Sequence, residues 1–314
     1  MKARILTTAS ILTIFSGALP AADPQLLNLV MPDVKVLADV NVTHAKSSPF
    51  GQYVLSQAEM QQLQTFKSWT GFDPSNDLTE LMFAGNGAPG PNRGLALATG
   101  VFNVSAITAA AAAKGAASTT YKGATIILNP PKTEGVAFLA GGNIMVAGSV
   151  ANVEAAIDRS GAQQPTPAAL MGQAALLSQL SAEDAWILCT VPPASLHQGS
   201  LPPAAGVNGL PQNVAAQIQQ GWASVKFGAN VVMTAQAQAD NAQDATNLAN
   251  ALQLLINLGQ MQASQNSNAP NVAAATSIAT QDNNVNIAAT LPEAQFEQLI
   301  QAKPKAAAHR VPRK

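Results

Sequence analysis

The chain has 314 residues, of which 47% are hydrophobic, only 11% charged and 4% aromatic, and its formal net charge is −1. That length accommodates a large core or two moderate domains. So little charge gives a weak field for steering ions, and so few aromatics leave no stacking platform for bases, which excludes nucleic acid as a partner.

Lys2 and Arg4 precede an apolar run, Ile5 to Leu19, which closes on Pro20-Ala21-Ala22-Asp23. A basic start, an apolar core and small residues at the end form the layout of a secretory signal, so residues 1–22 read as a signal peptide cut near Ala22 or Asp23. An uncleaved N-terminal anchor is the alternative. The run is short for a permanent transmembrane helix, and no later stretch is apolar enough for one. No cysteine lies near the cut, which argues against a lipid-anchored lipoprotein. The expected location is periplasmic or secreted, and the expected source bacterial. Loss of Lys2 and Arg4 leaves 14 basic residues against 17 acidic ones.

A short helix or linker, 24–31, leaves the signal. Asp33 to Thr43 alternates and is rich in β-branched residues, so it reads as a strand. Ser48 and Pro49 open a helical region through Trp69, stopped by the turn Gly71-Phe72-Asp73-Pro74. Leu78–Gly85 and Gly94–Phe102 read as strands joined by a Gly/Pro loop, and Ser105–Lys114 as a helix with Gly115 beyond its end. Thr119–Leu128 reads as one strand. Val136–Leu139 and Ile144–Val146 flank Gly141-Gly142-Asn143, a hairpin signal, and Ser149 caps an amphipathic helix carrying Val150, Val153 and Ile157.

Gly161–Pro167 reads as a linker, after which the pattern restarts. Ala168–Leu180 is helical. Asp184–Val191 matches Asp33–Val40 in acidic start and apolar register, and Trp222–Asn230 matches Leu78–Asn86, with Phe227 opposite Phe83. Pro192–Gln212 is a loop. Val231–Gln238 is a strand, and Ala242–Gln262 is the longest helix, opened by Asp240 and Gln243. Ala274–Thr280 and Asn284–Ala289 form a closing hairpin, in which Val285 answers to Ile144. Thr290 and Glu293 read as a capping box for a last helix with Phe296, Leu299 and Ile300. The reading is an α+β fold, internally duplicated, with antiparallel sheets and helices packed on one face. Its parts are the signal peptide 1–22, an N-terminal half 23–163, a C-terminal half 164–302 and a basic disordered tail 303–314. The tail holds Lys303, Lys305, Arg310, Arg313 and Lys314 and no acid, which suits a weak electrostatic tether to an anionic surface.

Chemical motifs are sparse. Gly85, Gly87 and Gly90 spell G-x-G-x-x-G, but a strand and not a helix follows, so they read as a hairpin loop and not a nucleotide site. His44, His197 and His309 show no metal-ligand spacing, and His44 and His197 read as surface histidines. Cys189, the only cysteine, lies in the apolar run 185–189 and reads as a buried small hydrophobe. No G-x-S-x-G elbow is present. Asp73, Asp77 and Glu80 form one acidic patch and Glu183-Asp184 another. Trp69, Trp186 and Trp222 are scattered, with Trp186 and Trp222 in strand patterns that suit core packing over sugar stacking. Asn41-Val42-Thr43 and Asn103-Val104-Ser105 match the glycosylation sequon, which means little in a bacterial protein.

The paired α+β halves, Tyr121-Lys122-Gly123 and the run Asn143–Ile157 resemble secreted bacterial proteins of unknown function. The resemblance implies an extracytoplasmic α+β protein and brings no catalytic residues with it. No catalytic, cofactor-binding or metal residue is assigned and no cofactor is expected. The function favoured by sequence is an exported, non-catalytic binding or structural protein of the envelope. It would contact an unknown envelope protein, a polymer or a neutral ligand in the angle between its halves. The alternative is a hydrolase with a loop-borne site at 84–94 and 192–212; a purely structural surface module is a third option.

Overall fold

A computed structural model describes residues 23–52, 73–88, 94–129, 133–162, 170, 172–196, 214, 216–263 and 271–295. The signal segment, most of the helix expected over 48–69, the linker beyond Ala162, the greater part of the 192–212 loop, the helix beyond residue 295 and the basic tail lie outside them.

Twelve strands make one antiparallel sheet: β1 Val36–Asn41, β2 Leu78–Gly85, β3 Gly94–Gly100, β4 Ala117–Tyr121, β5 Ala124–Asn129, β6 Glu134–Leu139, β7 Ile144–Ser149, β8 Ala185–Cys189, β9 Gln220–Lys226, β10 Asn230–Gln238, β11 Thr276–Gln281 and β12 Asn284–Pro292. Among the described residues the helices include, in chain order, α1 Pro24–Leu27, α2 Val42–Ala45, α3 Pro74–Asp77, α4 Val104–Ala113, α5 Val150–Ala162, α6 Ala174–Leu180, α7 Ala242–Ala263 and α8 Val272–Ala275.

The strand order is β11-β12-β10-β9-β8-β1-β2-β3-β7-β6-β5-β4. Read outward from the central β8–β1 pair, each half runs through three consecutive strands; the first half then adds four in reverse order, β7-β6-β5-β4, and the second only two, β12-β11. The halves therefore do not form separate sheets. Leu37 of β1 faces Leu188 of β8, and the ladder continues through both sides. The order is alike only over the first three strands of each half, and the residues aligned by sequence do not fall on equivalent sites. Ile144 is the first residue of β7, whereas Val285 is the second of β12. With a two-residue period that offset puts them on opposite faces. Ile144 packs with α5, and Val285 packs with α7. Phe83 lies within β2, and Phe227 lies one residue past β9.

Helices cover both faces, not one. Met82, Leu97, Val146, Ala137 and Ile126 stand in one cross-strand row. They are buried with Leu26 of α1, Val153 and Ile157 of α5, and Leu177 of α6. The opposite face buries Ala98, Ile127 and Met145 with Ile107 and Ala111 of α4. On that same face, α7 covers Val285 and Ala237 with Ala245 and Leu248. The apolar row changes character past the sheet centre: beyond Met82 it continues as Asp39, Trp186, Ser224 and Thr234. Ser224 and Thr234 hydroxyls bond at 2.8 Å, and on the next row Gln236 donates to Asn286 at 2.9 Å.

Turn and cap chemistry corrects several expected boundaries. The run 119–128 is a hairpin and not one strand, because Lys122 and Gly123 adopt φ of 46° and 86° and reverse the chain. Lysine at the first turn position hid that signal, since positive φ favours Gly or Asn. Strand β1 stops at Asn41, whose side-chain oxygen accepts from the His44 N–H at 3.0 Å, and Asn103 caps α4 in the same way through Ala106. Both sequon asparagines are thus helix N-caps. Ser149 caps α5, accepting from the Asn152 N–H at 3.3 Å. Thr290 pairs with Val232 inside β12, so it is a strand residue and not a helix cap.

Candidate functional site

The end of β1, its continuation into α2, and the start of β8 converge at a pocket of about 170 Å³ lined by Asn41, His44, Ala182, Glu183, Asp184, Lys226 and Phe227. His44 and Asp184 meet because β1 and β8 run antiparallel side by side, with Asn41 N–H donating to the Asp184 carbonyl at 2.8 Å. The His44 Nδ1 lies 2.7 Å from Asp184 Oδ1. The other carboxylate oxygen, Oδ2, accepts from the Phe227 N–H at 2.6 Å. Asp184 is nearly buried and the His44 ring is 44% exposed. The sequence placed both residues at the surface with no partner for the histidine; the fold supplies its carboxylate from the other half of the chain. A carboxylate behind an exposed imidazole fixes the orientation of the ring. It can bind an anion or move a proton. Among the described lining residues there is no hydroxyl or thiol beside it.

A second acidic group is hidden in the sheet. Asp39 projects onto the α1 face, next to Met82 and Trp186 in register, and is 4% exposed. Glu80, two residues before Met82, projects onto the same face and so leaves the patch expected with Asp73 and Asp77. Asp77 instead closes a local turn by accepting from the Asp73 N–H at 2.8 Å. The Asp39 and Glu80 carboxyls are neighbours on this face, and each acts on the other's ionisation. Burial, and then the nearby Glu80 charge, hold the Asp39 carboxyl well above its ordinary range. Burial also raises Glu80, against a lowering contribution from the backbone N–H of Asp23. Asp39 Oδ1 and Trp186 Nε1 are buried without hydrogen-bond partners. No sequence motif marks this pair, since its members lie on different strands; the one visible signal is an aspartate inside an apolar strand.

The other candidates fall elsewhere. Gly85 and Gly94 pair across a β2–β3 hairpin, so the glycine run is a hairpin connection. Leu196 lies against Gly87, where an added Cβ would come within 2.6 Å of its Cδ2, so the described parts of the 84–94 and 192–212 loops do meet. They meet at the Val36 end of β1, opposite the His44 end. Cys189 is buried, its Sγ donates to the Val191 carbonyl at 3.1 Å, and burial pushes its thiol pKa up. Trp186 is a core residue, and Trp222 packs against the same cluster. His197, His309 and Trp69 lie outside the described residues. Among the described residues no group of three or more His, Cys, Asp or Glu could hold a metal, and no helix is long and apolar enough to cross a membrane.

Among the described residues, exposed large apolar side chains gather on α7, with Val101 and Val232 exposed elsewhere. On α7, Leu254, Leu258 and Met261 are 59%, 46% and 67% exposed. Their spacing places them on one side of the helix, away from Leu248, which is fully buried.

These features define an α+β protein built on one continuous antiparallel sheet with helices on both faces. Among solved structures, crystal form III of TP0453, a Treponema protein of unknown function, is similar in fold, with a TM-score of 0.53 at 11% identity over 88% of this chain and 98% of that one. Crystal form I of the same protein gives a TM-score of 0.49 at 9% identity, over 88% and 97%. At this identity the likeness to form III concerns the fold alone. No protein-family profile and no curated protein sequence matches the chain.

Proposed function

We propose that this is an exported, non-catalytic binding protein of the bacterial envelope, and that it engages another envelope protein through the exposed side of α7. The observation that carries this reading is the exposed apolar pair Leu254 and Leu258 on a helix whose other side packs on the sheet. Large apolar side chains clustered in water mark contact surfaces more often than single exposed ones do. The signal-like N-terminus supports delivery to the envelope. The weak charge of the body supports recognition through apolar contact and neutral hydrogen bonds, with little electrostatic steering. The basic segment Lys303–Lys314 adds a salt-sensitive tether to anionic polymer or lipid.

Site-specific photo-crosslinking in the exporting host tests the proposal. A photoreactive residue at Leu258 should give one discrete adduct with another protein, and Leu254→Glu should abolish it. A probe at Thr246, on the exposed first turns of α7, serves as the comparison. An adduct of twice the chain mass would make the partner a second copy. Absence of any Leu258-specific adduct would overturn the proposal. Deleting 303–314 should weaken binding to anionic vesicles at low salt and change nothing at high salt; equal binding of both forms at low salt removes the tether.

A further inference from the structure

Asp23 is the first described residue, and it is tied firmly to the fold. Its side chain accepts from the Gln25 N–H at 2.8 Å, and its carbonyl accepts from Leu26 and Leu27. The next residues go straight into the core: Leu26, Leu29 and Val30 are at most 2% exposed. The backbone nitrogen of Asp23 points at Glu80, 3.0 Å from Oε1 and 3.2 Å from Oε2. One amide hydrogen is thus shared between both oxygens of a carboxylate. Beside it stands Asp39, 4% exposed, with Oδ1 unpartnered. Among the described residues no Lys, Arg or His forms an ion pair with either carboxylate. A buried carboxyl beside a half-buried one is costly where no cation stands by them, because each disfavours ionisation of the other and burial disfavours both.

The position of the Asp23 nitrogen offers a cation to this pair, for which none is seen among the described residues. We propose that the mature chain begins at Asp23 and that its free α-ammonium is the counter-ion of the Glu80–Asp39 pair. The inference rests on the export reading given above. Removal of the leader adds water across the Ala22–Asp23 peptide bond under a signal-removing peptidase. Ala22 keeps the new carboxylate, and the amine on Asp23 takes a proton from solvent. At the same atom, a neutral amide with one N–H becomes an ammonium with three N–H donors and a unit positive charge. One donor can keep each Glu80 oxygen, and the third is available to Asp39 Oδ1. Hydrogen bonds between ionised partners are shorter and stronger than the amide bond they replace. Processing therefore adds to a tie that already exists: it puts a charge on the link from α1 and the buried segment behind it to β1 and β2. The small residues Ala21 and Ala22 immediately before this nitrogen suit such a cut.

Two measurements separate this inference from the export reading. The first is the N-terminal sequence of protein recovered from the envelope of an exporting bacterial host. A start at Asp23 is expected. Recovery of Met1 would end the export reading, and with it the processing step. A start elsewhere would leave export standing and overturn the clamp. The second compares three forms of the mature chain made with defined ends: a free amine on Asp23, an acetylated Asp23, and a chain carrying one extra alanine. The free-amine form should melt higher than either blocked form by about 2–4 °C. In Glu80→Gln, which keeps the shape and removes the charge, that gap should close. Equal melting of free and blocked forms in the parent chain would overturn the clamp even if the start at Asp23 is correct. Reductive methylation of the α-amine gives a readout that does not depend on unfolding: it should be slower in the parent than in Glu80→Gln, and equal rates would count against the proposal.

Discussion

Asp184 holds His44 and the backbone of Phe227 at once, with its Oδ1 2.7 Å from the imidazole Nδ1 and its Oδ2 2.6 Å from the Phe227 nitrogen. One carboxylate thereby joins α2, which follows β1, to the turn between β9 and β10 across the sheet centre. Asp184→Ala leaves the Phe227 N–H without its acceptor in a nearly buried place. It should destabilise the fold by about 1–3 kcal/mol, read as a lower urea midpoint. His44→Ala should cost less than about 1 kcal/mol, because the ring is 44% exposed and screened. A His44→Ala loss as large as that of Asp184→Ala would mean that the imidazole, and not the backbone contact, is the main tie.

Asp39→Asn should change the dependence of stability on pH in chains whose Asp23 nitrogen is still in a peptide bond. Burial and the facing Glu80 raise the folded-state pKa of Asp39 well above the ordinary 3.8. A carboxyl of this kind favours folding where it is protonated. Its contribution is fully present below the unfolded pKa and is lost as pH rises through the folded pKa. The stability of Asp39→Asn relative to the parent should therefore grow as pH rises from 4 towards 7, measured by urea unfolding at several pH values. A constant difference across that range would contradict the assignment. The groups that face Asp39 are Glu80 and, through it, Asp23, so the same comparison in a chain with a free Asp23 amine should show a smaller change.

Ala140 adopts φ of 50° in the turn between β6 and β7, next to Gly141 at 69°. An L-residue with a Cβ is strained there, by roughly 1–2 kcal/mol. Ala140 is exposed, so no packing is lost on replacing it. Ala140→Gly should raise stability by up to about 1 kcal/mol, visible as a higher melting temperature. A lower melting temperature would show that the loss of chain entropy outweighs the relief of strain.

The two sides of α7 should respond oppositely to truncation. Leu248 is fully buried among Ala237, Ala245 and Val285, and Leu248→Ala should cost about 2–5 kcal/mol. Leu254→Ser removes an exposed side chain and should shift stability by no more than about 0.5 kcal/mol. A large destabilisation by Leu254→Ser would show that the exposed row serves the fold, and would weaken the contact surface proposed for it.

The amino-acid sequence by itself determined the local elements that depend on neighbours along the chain. Two-residue alternation marked β1, apolar spacing marked α5 and α7, and Ser149 marked a helix start, because periodicity reports which side of an element avoids water. It also identified Cys189 and Trp186 as buried, since each lies in an uninterrupted apolar run. Where a turn used an unfavoured residue, as at Lys122, the local signal was too weak to divide 119–128 into two strands. What only the tertiary structure decided is which elements stand side by side. Pairing β1 with β8 merged two expected sheets into one and brought His44 to Asp184 across 140 positions. Folding α1 over the same sheet carried the Asp23 nitrogen to Glu80 across 57. Alternation shows that Asp39 and Glu80 each point to one face or the other, but whether those faces coincide depends on the register between strands. Register is set by contacts distant in sequence, and a shift of one residue would have separated every one of these pairs.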